Sequence, residues 1–253
     1  MLDIFSVALL NTKQGVREKT FWVIAFFFAF LLAAALFLGE LSIGEKEAAL
    51  RDISLSSIEI SCLVLIVFGL VINFYREKET RLKELYLSYF SQASYLTGKL
   101  LGYIFICFMY VLVTTLLAGV LLFFNHAFNW QIIAASYSIF LKLSIFSAVS
   151  LLFSALFDYA LLASLATFFF YIASEFAYSA VKIVSVTKNE AARFFIQFIY
   201  YALPNVEKVD LKYQAIYGQP VSFFHLSKVS AYVIIYILFC LSLAVLAFRS
   251  KEH

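Results

Sequence analysis

Charge, proline, glycine and histidine are all scarce in this chain. Of its 253 residues only 14% are charged and 64% are apolar, against about 25% and roughly 45–50% in soluble domains, which argues against a water-soluble globule. With 2 Pro and 8 Gly beside 30 Phe, collagen-like, linker-like and disordered classes are excluded, because those need breakers and few aromatics. The three histidines, His126, His225 and His253, lie far apart. Cys62, Cys107 and Cys240 sit in apolar runs without a C-x-x-C pair, so no metal site is expected. The patterns G-x-x-x-x-G-K-[ST], H-E-x-x-H and G-x-S-x-G are absent, which removes a P-loop and the familiar hydrolase nucleophiles. The chain is therefore expected to have no catalytic site and no cofactor of its own. A net charge of +3 that is not gathered into a stripe gives no reason to expect nucleic acid as a partner.

What is present is long apolar runs. A helix crossing a hydrocarbon core of roughly 30 Å needs about 20 apolar residues. Runs at about 20–39, 57–75, 96–124 and 229–248 meet that length directly. The first is longer than a secretory signal core and lacks a clear cleavage site after it. The 47-residue stretch from Ile132 to Tyr178 contains Lys142, Asp158 and Glu175 as its ionisable residues of Asp, Glu, Lys, Arg or His type. As one helix it would measure roughly 70 Å, so it must fold back, and Asp158 marks the turn because a carboxylate is tolerated at the interface. Spans at 132–157 and 159–178 follow, six in all.

Short-loop basic residues set the orientation. With the N-terminus inside, inner segments hold Lys13, Arg17 and Lys19, then Arg76, Lys78, Arg81, Lys83 and Lys99, then Arg249 and Lys251. The outer short loops hold only Lys46 and Arg51, and the long 179–228 segment obeys the rule weakly. Both termini are expected on the cytoplasmic side. The expected fold is an all-α polytopic membrane protein, a single domain over 1–253, with six transmembrane helices, an N-terminal interfacial helix and a short outer re-entrant or interfacial helical hairpin before the last span.

Three segments do not span. Leu2, Phe5, Leu9 and Val16 recur at near-helical spacing, with Lys13, Arg17 and Lys19 opposite or just beyond, which predicts an interfacial amphipathic helix over 2–18. Between the second and third spans, Leu82, Leu85, Tyr86, Tyr89 and Phe90 fall on one helical face, while Glu77 with Arg81 and Glu79 with Lys83 form i,i+4 pairs on the charged face. Such a helix either lies on the membrane or presents its aromatic side to a protein partner. Residues 191–203 are apolar but too short to cross, and Pro204 ends them. Most of the chain from Asn205 to Ser227 is polar enough to lie in water or among headgroups.

Three ionisable residues fall inside spans: Glu59, Lys142 and Glu175. A charge at the bilayer centre costs at least about 2.5–3.5 kcal/mol and therefore needs a partner. If the fourth and fifth spans are antiparallel neighbours, Glu175 comes within reach of Lys142. The group is then either the lining of a substrate path or a structural ion pair that fixes helix register.

From Glu79 the sequence runs through Leu82, Leu85, Tyr86, Tyr89 and Ser91, then Tyr95-Leu96-Thr97-Gly98-Lys99-Leu100-Leu101-Gly102; later comes Leu203-Pro204-Asn205 followed by Asp210-Leu211, and the last span ends in Phe248-Arg249. These stretches resemble the permease subunits of type-2 ATP-binding-cassette transporters, in particular the multicopper-enzyme-maturation subfamily. Members commonly carry Ser-x-Pro-x-Ser-Arg and then Tyr-Leu-x-Gly-Lys-x-Leu-Gly. Here Tyr89 stands where proline is usual and Gln92 where arginine is usual. The resemblance implies a homodimer, or a pair with a homologous permease, in the inner membrane. Each copy would contact a separate ATPase that holds ATP and Mg. It also implies a coupling helix at about 79–91, bearing Glu79, Arg81, Leu82, Leu85, Tyr86 and Tyr89, and a smaller contact at Asp158. Export is the direction the family suggests. The rivals are an ATP-independent channel or carrier, which lacks the expected Gly/Pro-interrupted repeats, a membrane enzyme, which lacks a convergent catalytic set, and a membrane anchor that acts on a periplasmic partner through 179–228.

Overall fold

A helix wholly in lipid satisfies every backbone group within itself, so apolar runs of this length become helices. The computed structural model describes residues 2–42, 45–80, 82–184 and 203–250, with the side chains of 2, 3, 83, 85, 87 and 178–184 outside the description. All regular structure among these residues is helical: α1 (Leu2–Arg17), α2 (Lys19–Leu41), α3 (Lys46–Glu79), α4 (Leu82–Tyr89), α5 (Gln92–Phe124), α6 (Gln131–Leu156), α7 (Ala160–Val184), α8 (Lys212–Ile216) and α9 (Phe223–Ser250). Six of them, α2, α3, α5, α6, the Ala160–Ala177 part of α7, and α9, are long and apolar enough to cross a membrane. The chain is an all-α, multi-pass membrane protein. Most of the expected 191–203 segment lies outside the described residues.

Two helices overshoot the bilayer. α3 has 34 residues and α5 has 33, about 50 Å each against a core of roughly 30 Å. The apolar run had placed the second span at 57–75, yet the helix starts at Lys46. Leu50 and Leu55 are fully buried, so the polar first turns carry an apolar edge that packs into the bundle. Midway, Leu65–Leu70 widens into a π-helical turn. Such a turn disturbs the backbone ladder. Tyr103 Oη donates to the Gly69 carbonyl at 3.0 Å and Ser164 Oγ to that of Val67 at 3.3 Å, supplying partners where lipid supplies none.

The core sits around α6, which packs on α3, α5, α7 and α9. Six serines of α6 are buried, at 136, 138, 144, 147, 150 and 154. Small residues let backbones approach closely, which is how helices associate where the surrounding lipid is as apolar as they are. Ser144, Ser147 and Ser154 turn their hydroxyls back to the carbonyl four residues earlier and so present a largely apolar exterior.

α1 does more than lie in the interface. Its predicted apolar stripe, Phe5, Leu9 and Val16, does face away from the protein. Its other side docks on α5, with Val7 and Asn11 buried. Gly98 and Gly102 are the reason: a Cβ at Gly98 would stand 2.7 Å from Val7 Cβ and 2.8 Å from the Ile4 carbonyl oxygen, and one at Gly102 would stand 2.8 Å from the Ala8 carbonyl oxygen. Asn11 Nδ2 then donates to the Lys99 carbonyl at 3.0 Å. Replacing Gly98 with Leu should lift α1 from α5, because the obstacle is backbone rather than a mobile side-chain tip. A loss of about 1–3 kcal/mol, read as early proteolytic release of the first 17 residues, is the expected result.

Candidate functional site

Two buried clusters of charge lie on α3, one towards each membrane face. The first is built around Lys142 of α6, whose side chain is 1% exposed. It meets Glu59 of α3 and Glu175 of α7 in direct ion pairs, and Asp210 at 3.4 Å. Lys212 closes on Glu59 from the other side and stands 3.9 Å from Asp210. Tyr171 Oη donates to Glu59 Oε1 at 2.7 Å, and the Lys142 ammonium lies 5.5 Å from the centre of the Tyr171 ring. Three carboxylates thus surround two ammonium groups. Mutual pairing offsets a desolvation cost of several kcal/mol per ion.

Asp210 and Lys212 were missed by the sequence reading, which left 205–227 in water or among headgroups. The structure corrects this. Val206, Val209, Leu211 and Ala215 are buried, so the segment folds down onto the bundle. Its backbone is latched there: the Leu211 N–H donates to Ser138 Oγ at 3.2 Å, Asn129 Nδ2 to the Ala215 carbonyl at 2.6 Å, and Arg51 to the Ile216 carbonyl at 2.9 Å while also holding the Ala127 carbonyl of the α5–α6 loop at 2.6 Å. The signal available beforehand was the apolar beat Val206, Val209, Leu211 around Glu207 and Asp210.

The second cluster sits about 27 Å further along α3, counting from Glu59 to Glu77 at the α-helical rise. The sequence reading put Glu77 on an exposed charged face beside Arg81. Instead Glu77 is buried and accepts from Lys99 Nζ at 2.6 Å and from Tyr95 Oη at 2.6 Å. Lys99 is equally buried, and its ammonium lies 4.8 Å from the centre of the Phe74 ring. The overshooting start of α5 brings a buried ammonium to this carboxylate, an ion pair between two helices that local spacing along one helix does not reveal. Phe248 of α9 packs against both Phe74 and Tyr95.

Above this pair lies α4. The expected single apolar face is divided. Tyr86 stacks on Tyr95 with ring centres 5.8 Å apart, and Phe90 packs on the core. Leu82 and Tyr89 point outwards at 39% and 79% exposure. Burial pushes the Tyr86 hydroxyl above its ordinary range, with the Glu77 carboxylate adding to the effect. Glu79 is exposed at the end of α3, Arg81 and the Leu85 side chain lie outside the described residues, and Asp158 occupies the exposed turn between α6 and α7. That turn is tied to α3, since Tyr75 Oη donates to the Phe157 carbonyl at 2.7 Å. Nearby, Arg76 pairs with Glu18 at 3.0 Å, and burial raises the Glu18 carboxyl against the opposing pull of Arg76. Among the described residues no group of His, Cys, Asp and Glu is placed to hold a metal.

No protein-family model matches the chain, and no curated protein is significantly similar to it in sequence.

Lys142 is the hub of the first cluster. Lys142→Met should cost about 3–5 kcal/mol, the usual consequence of leaving buried charge unpaired, seen as a lowered melting temperature in detergent. Adding Glu59→Gln to Lys142→Met should recover part of that loss, whereas an undiminished loss would mean that packing alone holds the site.

Proposed function

We propose that this chain is the permease subunit of an ATP-binding-cassette transporter: a passive membrane machine driven by a separate ATPase that binds ATP and Mg. It works as a homodimer in a bacterial or archaeal inner membrane, with both termini cytoplasmic, and it exports its cargo. The family resemblance in sequence suggests this role. The observation that carries it is the seating of α4. This eight-residue helix lies between a turn at Thr80 and a bend at Phe90, joining the two helices that overshoot the bilayer.

An isolated helix of eight residues is not stable in water, so α4 depends on its support. That support is the Tyr86–Tyr95 stack, directly over the Glu77–Lys99 pair that ties α3 to α5. Leu82 and Tyr89 remain free for a groove on the ATPase, an apolar and an aromatic anchor of the kind that concentrates binding energy. A push on α4 passes through buried, charge-locked contacts into both long helices, as a rigid-body displacement rather than a local bend. Asp158, whose turn is tied to α3 through Tyr75, gives a second contact on the same end of the same helix. Residues 203–222 pack at the opposite end of α3 from α4, the side on which a periplasmic partner would bind.

The test is co-purification with an ATP-binding-cassette ATPase encoded beside this gene. Leu82→Asp with Tyr89→Asp alters only exposed positions and should weaken association by more than about thirtyfold, the loss expected from one hot-spot residue. Lys99→Met with Glu77→Gln should keep the ATPase bound but remove its stimulation by the permease. Association undisturbed by the double aspartate variant removes the coupling role.

A further inference from the structure

The docking of α1 on α5 leaves a groove along one side of the joint, of about 880 Å³, lined by Ile4, Phe5, Ala8 and Leu9 on one wall and by Leu101 and Phe105 on the other. Gly102 lies at its floor, and the close approach it allows gives the groove its shape. This is the size of a small-molecule site, and its lining is almost wholly hydrocarbon.

Lys13 stands at one end of the groove and also lines a second depression, of about 550 Å³, together with Arg17, Arg76 and Glu18. Three cations there face one carboxylate. Glu18 is already committed to Arg76 at 3.0 Å. Lys13 and Arg17, one helical turn apart, are exposed and have no ion pair among the described residues. An apolar trough thus runs into a depression carrying unpaired positive charge, at the level where α1 lies across the first turns of α5.

We propose that the groove and the depression form one binding site for an anionic phospholipid, with an acyl chain along the α1–α5 groove and the headgroup phosphate at Lys13 and Arg17. Lipid is the occupant the geometry selects, because the charge complements a phosphate and the trough complements a chain, and the two are joined through Lys13. Basic pockets beside membrane helices attract anionic headgroups by about 1 kcal/mol per Lys or Arg. The bound lipid holds α1 against α5 from the membrane side and so supports the turn bearing Lys99. This inference is independent of the transporter reading, since it requires no ATPase.

The test uses the full chain in neutral detergent, with bound lipid counted by native mass spectrometry during titration with dioleoyl-phosphatidylglycerol or dioleoyl-phosphatidylcholine. The wild type should hold phosphatidylglycerol more tightly. Lys13→Gln with Arg17→Gln should weaken it by about thirtyfold, the effect of two basic residues, while leaving phosphatidylcholine unchanged. Lys13→Arg with Arg17→Lys should retain the preference, which separates charge loss from misfolding. Leu101→Trp, which fills the groove at a half-exposed position, should weaken both lipids. Glycerol 3-phosphate, a headgroup without chains, should not compete at matched concentration. Equal binding of the two lipids by the wild type, a preference that survives the double glutamine variant, unchanged binding after Leu101→Trp, or full competition by glycerol 3-phosphate would each overturn the proposal.

Discussion

An ionised group inside the bilayer must find a countercharge on another part of the same protein, and the arrangement of this bundle follows from that constraint. Lys142 cannot reach water from the middle of α6, so α3 and α7 supply carboxylates to it, and the chain between α7 and α9 turns inward to add Asp210 and Lys212. Without the ammonium hub, three carboxylates would crowd one another in a medium where like charges repel far more strongly than in water. Four separate stretches of sequence are thereby fixed in register by one side chain. Hydrophobic pressure could not do this, since lipid tails solvate leucine as well as another helix does.

The same helix carries the second cluster, and the two differ in kind. Around Lys142 the partners come from α3, α7 and the 203–222 segment, which closes one end of the bundle. Around Glu77 the partners come from α5, with α1 and α4 resting on them, which joins the overshooting ends at the other. Between the clusters lies the π-helical turn Leu65–Leu70, held by hydroxyls from α5 and α7. Two carbonyls of that turn, those of Val67 and Gly69, accept from neighbouring helices, so the middle of α3 is bonded to α5 and α7 between its two charge clusters.

The sequence disclosed what depends on length and on local period. Six spans follow from apolar runs measured against the bilayer, the turn at Asp158 from the impossibility of a 70 Å helix, and the Lys142–Glu175 proximity from antiparallel neighbours of known rise. It concealed what depends on partners distant in the chain. Asp210 lies 68 residues from Lys142, and the apolar residues beside it point to a packed segment without naming the ammonium that it meets. Glu77 was hidden differently, within a charged run whose neighbours offered an equally good helical pair. Lys99 looked like another positive-inside residue. The small-residue spacing of Gly98 and Gly102 was the visible sign that this turn of α5 meets another backbone, and hence that its lysine is covered.

Coverage of Lys99 also explains why α1 and α4 exist as ordered helices. Neither is long enough or apolar enough to be held by lipid alone. Their shared foundation is the first three turns of α5: α1 rests on the glycines, where backbones meet, and α4 on Tyr95, where rings stack. The ion pair between Glu77 and Lys99 lies beneath both, so separating α3 from α5 at this end would expose a buried carboxylate and a buried ammonium and undermine two helices together. Desolvated, hydrogen-bonded charge pairs lose several kcal/mol when one partner is withdrawn, far more than the stack or the glycine contact alone could resist. The joint therefore moves as a unit, and force applied at α4 cannot be dissipated locally before it reaches both long helices.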